Sequence, residues 1–192
     1  LSPDPKYLYL SRTHREVLGH LVYGIDEGEG FMAISGEVGT GKTTLCRTLL
    51  ERRDDCDIAF LFNPTLTPTD LIKAINSEFG LSTFGDSRAE LIDVLNTHLL
   101  ECHAEGRRVL VIIDEAQNLP DETLEQLRLL GNLESQTRKL LQILLIGQPE
   151  LDRKLEAREL RQLRQRISVW WRLGTLEPDE TRGYVRHRLR VA

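Results

Sequence analysis

Five short apolar runs alternate along the chain with longer segments in which apolar residues recur at helical spacing. We predict one strand from each run, at residues 31–35, 58–62, 109–113, 140–146 and 167–171. The run 109–113 is apolar throughout, as expected for a strand covered on both faces of a parallel sheet. Strands that alternate with helices indicate right-handed crossovers, so the pattern predicts an α/β protein with a central five-stranded parallel sheet.

The ends of several helices can be predicted from capping residues. Ser11 is suited to cap the first helix, and Gly24 is expected to close it. Thr67 precedes a proline that suits a first helical turn, and Asp86 or Ser87 is expected to begin the next helix. Further helices are predicted at residues 121–133, 151–155, 158–164 and 178–191.

A phosphate-binding sequence lies between the first predicted strand and the following helix. It has the pattern G-x-x-x-x-G-K-T and comprises Gly36, Glu37, Val38, Gly39, Thr40, Gly41, Lys42, Thr43 and Thr44. Its glycines let backbone N–H groups approach an anion, and the N-terminus of a helix favours negative charge. Lys42 is predicted to bind the β- and γ-phosphates of a nucleotide, and Thr43 to bind Mg²⁺. A chance glycine turn is the alternative, but the complete motif stands between a strand and a helix.

Two acids, Asp114 and Glu115, directly follow the apolar run 109–113. Ligands of open α/β sheets bind at the edge where the strands end, so both acids are expected beside the phosphate-binding loop. Asp114 is predicted to hold Mg²⁺ through water, and Glu115 to act as the general base that polarises the attacking water. The alternative is that both acids cap the next helix or face solvent.

Two polar residues at strand ends are weaker candidates. Asn63 follows the second predicted strand, where it is placed to hold Glu115 in an inactive rotamer until a ligand binds. Gln148 follows the fourth strand, where it is placed to sense the γ-phosphate or to position water. Either residue is alternatively a plain polar residue of a turn.

An arginine cluster between the fourth and fifth strands contains Arg158, Arg161, Arg164 and Arg166. An arginine there can reach the nucleotide of a neighbouring subunit as an arginine finger. Arg166 is the first choice for this role and Arg161 the second. The alternative is a solvated basic helix face.

Composition narrows the classes of partner. The net charge is −5, which argues against extensive nucleic-acid coating but leaves room for a local basic patch. No apolar run reaches membrane-spanning length. The chain begins with Leu1, so a fragment of a longer protein is expected.

The three cysteines are widely spaced and are expected to be reduced, apolar residues. His98 and His103 share a predicted helix but are interpreted as lacking metal-ligand spacing to a cysteine.

The extra strand between the phosphate-loop strand and the Asp-Glu strand, with the arginine cluster, resembles AAA+ ATPases, and the guanine-reading N-K-x-D of Ras-like GTPases is absent. More specifically, several segments resemble the ExeA/GspA family, the ATPases called general secretion pathway protein A. These are residues 3–11, His14, 23–25, 36–44, 63–64, 113–117 and 147–151. The resemblance extends over essentially the whole chain.

This resemblance implies a three-layer αβα P-loop NTPase fold of AAA+ type, with ATP and Mg²⁺ as cofactors. Residues 1–175 would form the ATPase core and 176–192 the start of a helical lid that is mostly missing. Tyr9 and His14 would flank the adenine base. The family further implies self-association into a ring or dimer, and the cytoplasmic domain of an inner-membrane-anchored bacterial protein. A B-type partner protein, periplasmic peptidoglycan and the type II secretin are its implied contacts.

Three functional hypotheses remain open from the sequence. The first is an ATP-driven motor that assembles the secretin complex and works as an oligomer. The second is a DNA-binding ATPase that regulates transposition, or an ATPase of an exopolysaccharide or protein-sorting locus. The third is a nucleotide-dependent switch that barely turns over. The acidic net charge mildly disfavours DNA, although the basic predicted helix 178–191 would suit it.

Overall fold

The computed structural model describes residues 9–50, 53, 55–62, 65–85, 87–134 and 139–191. Its strands are β1 (Phe31–Gly36), β2 (Cys56–Leu61), β3 (Arg108–Ile113), β4 (Gln142–Gly147) and β5 (Ile167–Leu173). Its α-helices are α1 (Arg12–Glu27), α2 (Lys42–Leu50), α3 (Pro68–Glu78), α4 (Arg88–Ala104), α5 (Asp121–Leu130), α6 (Pro149–Leu155), α7 (Arg161–Arg164) and α8 (Pro178–Val191). Short 3-10 turns cover Ala116–Asn118 and Arg158–Leu160.

All five strands are parallel and lie in the order β2-β3-β4-β1-β5. The predicted α/β class and five-stranded parallel sheet are therefore confirmed. One face of the sheet packs against α3 to α7, and the other packs against α1 and α2. This gives the three-layer arrangement that buries a sheet on both faces.

The helix caps explain where α3 and α4 begin. The Thr67 side chain accepts a hydrogen bond from the N–H of Asp70, and Pro68 occupies the first turn of α3. Ser87 and Glu90 form a reciprocal capping box at the start of α4. Ser11 caps α1 through the N–H of His14, as predicted.

The predicted end of α1 at Gly24 is wrong. The helix continues to Glu27, and Gly28 ends it in the left-handed conformation, with φ of 78°. Gly24 is buried inside the helix, where an added Cβ would lie 2.9 Å from Sδ of Met32 and 3.3 Å from Val169. The glycine is therefore there because α1 packs closely on β1 and β5, which a local sequence pattern does not reveal.

Because all strands are parallel, they all begin at one end of the sheet, called here the amino edge, and all finish at the other end, called the carboxyl edge. At the carboxyl edge, where the strands end, Gly36 lies beside Leu173, and Ile113 lies beside Leu145. At the amino edge, where they begin, Phe31 lies beside Ile167. Among the residues that the structure describes, no helix has the length and apolarity needed to cross a membrane.

Candidate nucleotide site

The phosphate-binding loop joins β1 to α2 at the carboxyl edge. Gly39 and Gly41 have φ of 82° and 87°, a backbone conformation that side chains other than glycine disfavour. Gly36 is needed for a different reason, because an added Cβ would lie only 2.5 Å from the carbonyl oxygen of Leu173 on β5. The loop is therefore held closely against the end of β5 while its tip, including Val38, remains exposed.

Lys42 lies inside this loop with only 6% of its surface exposed. Its Nζ donates hydrogen bonds to the carbonyl oxygens of Gly36 at 2.7 Å and Glu37 at 2.9 Å. Burial lowers the pKa of Lys42, and the nearby carboxylates of Glu115 and Asp114 oppose this shift. The ammonium group thus lies against the loop, near the carboxylates of Glu115 and Asp114.

Thr43 and Asp114 form the oxygen-rich part of the site. The Thr43 hydroxyl donates to Oδ2 of Asp114 at 2.6 Å, and Asp114 is 5% exposed. The N–H of Asp114 donates to the carbonyl oxygen of Leu61, which ties the end of β3 to the end of β2. A hydroxyl and a carboxylate are the hard oxygen ligands that Mg²⁺ takes, together with several waters. The two residues therefore fit the predicted metal role.

Glu115 adopts a left-handed backbone conformation, with φ of 56°. A non-glycine residue in this region stores strain, and such residues cluster at functional sites. Its Oε2 accepts hydrogen bonds from Nε2 of Gln117 at 2.5 Å and from Nε2 of Gln148 at 2.9 Å. The carboxylate is thereby held between two amide groups at the ends of β3 and β4.

Gln117 is a site residue that the sequence analysis did not single out. Besides holding Glu115, its Oε1 accepts the backbone N–H of Gln148 at 3.1 Å. The turn that carries Gln117 is supported by Lys154 of α6, which donates to the carbonyl oxygens of Gln117 and Leu119. Glutamine two positions after an Asp-Glu pair was visible in the sequence, but its role depends on the left-handed turn at Glu115.

His14 is the predicted base contact that lies against the loop. Its Nε2 is 2.8 Å from the carbonyl oxygen of Thr40, and its Nδ1 is 2.7 Å from the Ser11 hydroxyl. The histidine therefore connects the start of α1 to the phosphate-binding loop. Thr44, by contrast, continues α2, where its carbonyl oxygen accepts from the Thr48 hydroxyl at 3.0 Å.

Tyr9 lies against α8. An added Cβ at Gly183 would be 2.3 Å from the Tyr9 hydroxyl, and the Tyr9 ring centre is 6.2 Å from that of His187. The N–H of Arg12 also donates to Glu180 at 2.9 Å. The segment before α1 thus meets α8, and contact of Tyr9 and His14 with adenine stays a prediction, as does the division at residue 175.

One predicted catalytic residue falls outside the described residues, and another lies away from this cluster. Asn63 lies outside the described residues. Arg166 lies at the amino edge, directly before β5, where its Nη1 donates to the carbonyl oxygen of Arg128 at 3.2 Å and to Oδ1 of Asn132. Arg161 is exposed on α7. The choice between the two arginines stays a prediction.

A buried carboxylate supports the site from behind. Asp152 of α6 is 3% exposed and accepts hydrogen bonds from the Ser35 hydroxyl at 2.9 Å and from the Trp170 indole at 3.0 Å. Arg172 adds an ion pair whose Nε lies 2.9 Å from Oδ2. Since Ser35 immediately precedes the loop, Asp152 joins β1, β5 and α6 beneath it. No sequence motif pointed to this residue.

The interpretation that His98 lacks ligand spacing to a cysteine is wrong. His98 and Cys102 lie four residues apart on α4, hence on the same face of the helix. Their side chains meet Asp57 of β2, and the ligand atoms of the three residues all lie within 4.8 Å of one another. This cluster stands at the amino edge, away from the loop.

The fold and the phosphate-binding site together define a nucleotide-binding ATPase domain of the AAA class. A model of the AAA domain family matches residues 25–155, and the chain belongs to this family. Over its full length the chain is 50% identical to general secretion pathway protein A of Aeromonas hydrophila, which confirms the predicted resemblance. The chain spans 36% of that protein's length.

Two solved structures illustrate the shared fold. The ORC2 protein of Aeropyrum pernix in its ADP form has a TM-score of 0.72 at 20% identity, over 96% of this chain and 53% of that one. Cdc6p of Pyrobaculum aerophilum has a TM-score of 0.72 at 19% identity, over 97% of this chain and 53% of that one. At such identities the likeness concerns the fold alone.

Proposed function

We propose that the chain hydrolyses ATP to ADP and phosphate in a reaction that requires Mg²⁺. The observation that carries the proposal is the contact of 2.6 Å between the Thr43 hydroxyl and the Asp114 carboxylate, beside Lys42 and Glu115. It unites the two predicted motifs, which are some seventy residues apart in the sequence, in one site. If the loop were a chance glycine turn and the two acids only faced solvent, this contact between the two motifs would not be expected.

Each group then has a defined part in the reaction. Backbone N–H groups of the loop and the Lys42 ammonium bind the phosphates. Thr43 and Asp114 would hold Mg²⁺, which neutralises phosphate charge when bound. Glu115 takes a proton from the water whose oxygen attacks the γ-phosphorus. The bond between that phosphorus and the β–γ bridging oxygen breaks, and ADP keeps the bond's electron pair.

Gln148 and Gln117 regulate the position of the base. Both amides donate to the same oxygen of Glu115, so this carboxylate is already engaged inside its own chain. A γ-phosphate that attracts the Gln148 side chain would loosen one of these two bonds. In this proposal the amide pair holds Glu115 until a triphosphate is bound.

We expect the finger arginine to act on a neighbouring subunit. Arg166 precedes β5, whereas the phosphate-binding loop follows the end of the adjacent β1. A strand of seven residues at about 3.3 Å per residue separates the two by roughly 20 Å. An arginine side chain does not span this distance, so in this proposal Arg166 serves another copy in a ring or dimer.

The test of ATP hydrolysis is phosphate release at saturating ATP over a wide range of protein concentration. We expect release that requires Mg²⁺, stops with a chelator and rises per chain with concentration. Phosphate release no greater than that of a protein-free blank at every concentration would refute hydrolysis. Phosphate release per chain that does not change with protein concentration would leave hydrolysis intact and would refute only the action of an arginine on a neighbouring chain.

The identity to general secretion pathway protein A supports a role in bacterial secretion. We infer that the chain is the cytoplasmic ATPase part of a membrane-anchored protein that helps to assemble the secretin, with a B-type partner and peptidoglycan bound by other parts. A domain exchange tests this role: the matching segment of the Aeromonas protein is replaced by this chain. Restored secretin assembly with the wild-type segment, and none with Lys42→Ala, would support it; failure of a well-expressed exchange would contradict it.

A DNA-binding ATPase is the second candidate. It is favoured by the exposed arginines Arg182, Arg186 and Arg190 on α8. Against it stand the net charge of −5 and the ion pair between Arg182 and Asp179 at 3.5 Å. Duplex binding at low salt that weakens steeply with added salt would support this candidate, and no binding at low salt would remove it.

A further inference from the structure

Three different metal-binding side chains converge at the amino edge of the sheet. Asp57 is the second residue of the edge strand β2, and His98 and Cys102 come from successive turns of α4. Nε2 of His98 lies 3.0 Å from Oδ2 of Asp57 and 3.5 Å from Sγ of Cys102. The third separation, between Sγ of Cys102 and Oδ2 of Asp57, is 3.7 Å.

Hydrogen bonding alone accounts poorly for this arrangement. Nε2 carries at most one hydrogen, so it donates to Asp57 or to the sulfur but not to both. The thiol is a weak donor, and the Asp57 oxygen nearest to it also faces His98 and the Arg107 guanidinium at 3.2 Å. One oxygen therefore has three neighbours, and the sulfur of the buried Cys102 lies within hydrogen-bonding distance of both that oxygen and Nε2.

A cation between the three atoms satisfies all of them. Bonds of about 2.0–2.1 Å to nitrogen or oxygen and about 2.3 Å to sulfur place the ligand atoms of a tetrahedral zinc site about 3.3–3.6 Å apart. The three observed separations, 3.0, 3.5 and 3.7 Å, bracket this range. We propose that Asp57, His98 and Cys102 bind a divalent transition-metal ion of the Zn²⁺ type, with water as the fourth ligand.

The surroundings suit such a site. The His98 ring packs against the ring of Phe79, whose centre is 5.1 Å away, and Nη1 of Arg107 donates to Oδ2 of Asp57. Such outer partners orient metal ligands. Side-chain exposures of 13% for His98 and 30% for Asp57 leave the open side toward solvent. Mixed nitrogen, sulfur and oxygen ligands favour Zn²⁺ over Mg²⁺, which takes oxygen alone.

The ion would bind at the opposite end of the sheet from the site of ATP hydrolysis. It joins α4 to β2, the strand whose carboxyl end is hydrogen-bonded to Asp114. Binding to the folded chain alone stabilises it, so Zn²⁺ is expected to raise the melting temperature. The phosphate-binding loop contributes no ligand, and a chain that lacks this site is expected to bind nucleotide still.

Cobalt provides the test, because tetrahedral Co²⁺ bound to thiolate absorbs strongly in the visible and near-ultraviolet. The nucleotide-free chain, kept reduced, is titrated with Co²⁺. We expect one ion per chain, a sulfur-to-cobalt absorption band, and displacement by Zn²⁺. His98→Gln and Cys102→Ala should each weaken binding by about tenfold or more, and Cys102→Ala should abolish the band.

Two controls separate this site from others in the chain. Cys56→Ala removes the half-buried thiol on β2, and Asp114→Asn removes the oxygen site at the carboxyl edge; both should leave the band unchanged. Should Cys102→Ala fail to fold, a zinc-dependent rise in melting temperature that His98→Gln loses makes the same distinction. A wild-type chain without the band, or a band that survives Cys102→Ala, would overturn the proposal.

Discussion

The two edges of this sheet gather functional side chains in different ways. At the carboxyl edge, neighbouring residues in two short motifs supply Lys42, Thr43, Asp114 and Glu115. At the amino edge, the Asp57–His98–Cys102 cluster combines an edge strand with a helix about forty residues later. The first site is visible in the sequence because its spacing is fixed by local backbone geometry. The second appears only when β2 and α4 pack together.

The difference also separates two kinds of chemistry. The carboxyl edge presents oxygen ligands, an ammonium group and a strained acid, which suit phosphate transfer. The amino edge carries the thiol and imidazole of the Asp57–His98–Cys102 cluster, and Arg166, which is proposed to serve a neighbouring subunit. Substitutions at the first edge should therefore act within one chain, whereas Arg166 should matter only between chains.

The strongest expected effect is that of Glu115→Gln at the carboxyl edge. The amide retains hydrogen-bonding capacity but does not accept the proton from water, so turnover should fall about 1,000-fold, within the range of general base catalysis. ATP affinity should change little. Phosphate release and calorimetry measure the two quantities, with the exposed Glu122→Gln as the matched control. Equal losses of affinity and turnover would assign Glu115 to binding instead.

Lys42→Ala should act on binding itself. Removal of the buried ammonium, which bonds Gly36 and Glu37, leaves the phosphates without their main cation. A loss of about 100-fold or more in ATP affinity follows from the cost of deleting one partner of a buried charged contact. Calorimetry with Lys139→Ala, an exposed lysine near the amino edge, provides the control. Unchanged affinity would refute the phosphate site and with it the contrast between the edges.

The sequence predicted the layers of this fold well because strands buried on both faces are continuously apolar. It also predicted the caps at Ser11 and Thr67, since their hydrogen bonds are local. Gly24 was misread as a helix end because the reason for a glycine there is the distant Met32.

The carboxyl-edge site was predictable because each of its two motifs is made of residues that are neighbours in the sequence. Gln117 was missed because its bond to Glu115 needs the left-handed backbone at that acid. Asp152 was missed because its partners come from β1 and β5. Long-range contacts of this kind leave no periodic pattern in the sequence.

Arg166→Ala probes the amino edge and should change turnover only where chains meet. At high protein concentration, turnover per chain should fall about 10- to 100-fold, the worth of one charge-assisted hydrogen bond. In dilute solution, both turnover and ATP affinity should match the wild type. Arg153→Ala, an exposed arginine on α6, is the control. If Arg161→Ala alone removes the concentration dependence, the second choice of finger is the correct one.

The smallest expected effect is that of Gln117→Ala, which tests whether Gln117 positions the base. The variant loses one hydrogen bond to Glu115 and one from the N–H of Gln148, while Gln148 still holds the carboxylate. We expect kcat to fall about 3- to 10-fold, the value of a single hydrogen bond, with KM and the melting temperature almost unchanged. The exposed Gln162→Ala should alter none of these. A rise in KM with constant kcat, or a large fall in melting temperature, would show that Gln117 supports the fold or the binding of ATP and not the position of Glu115.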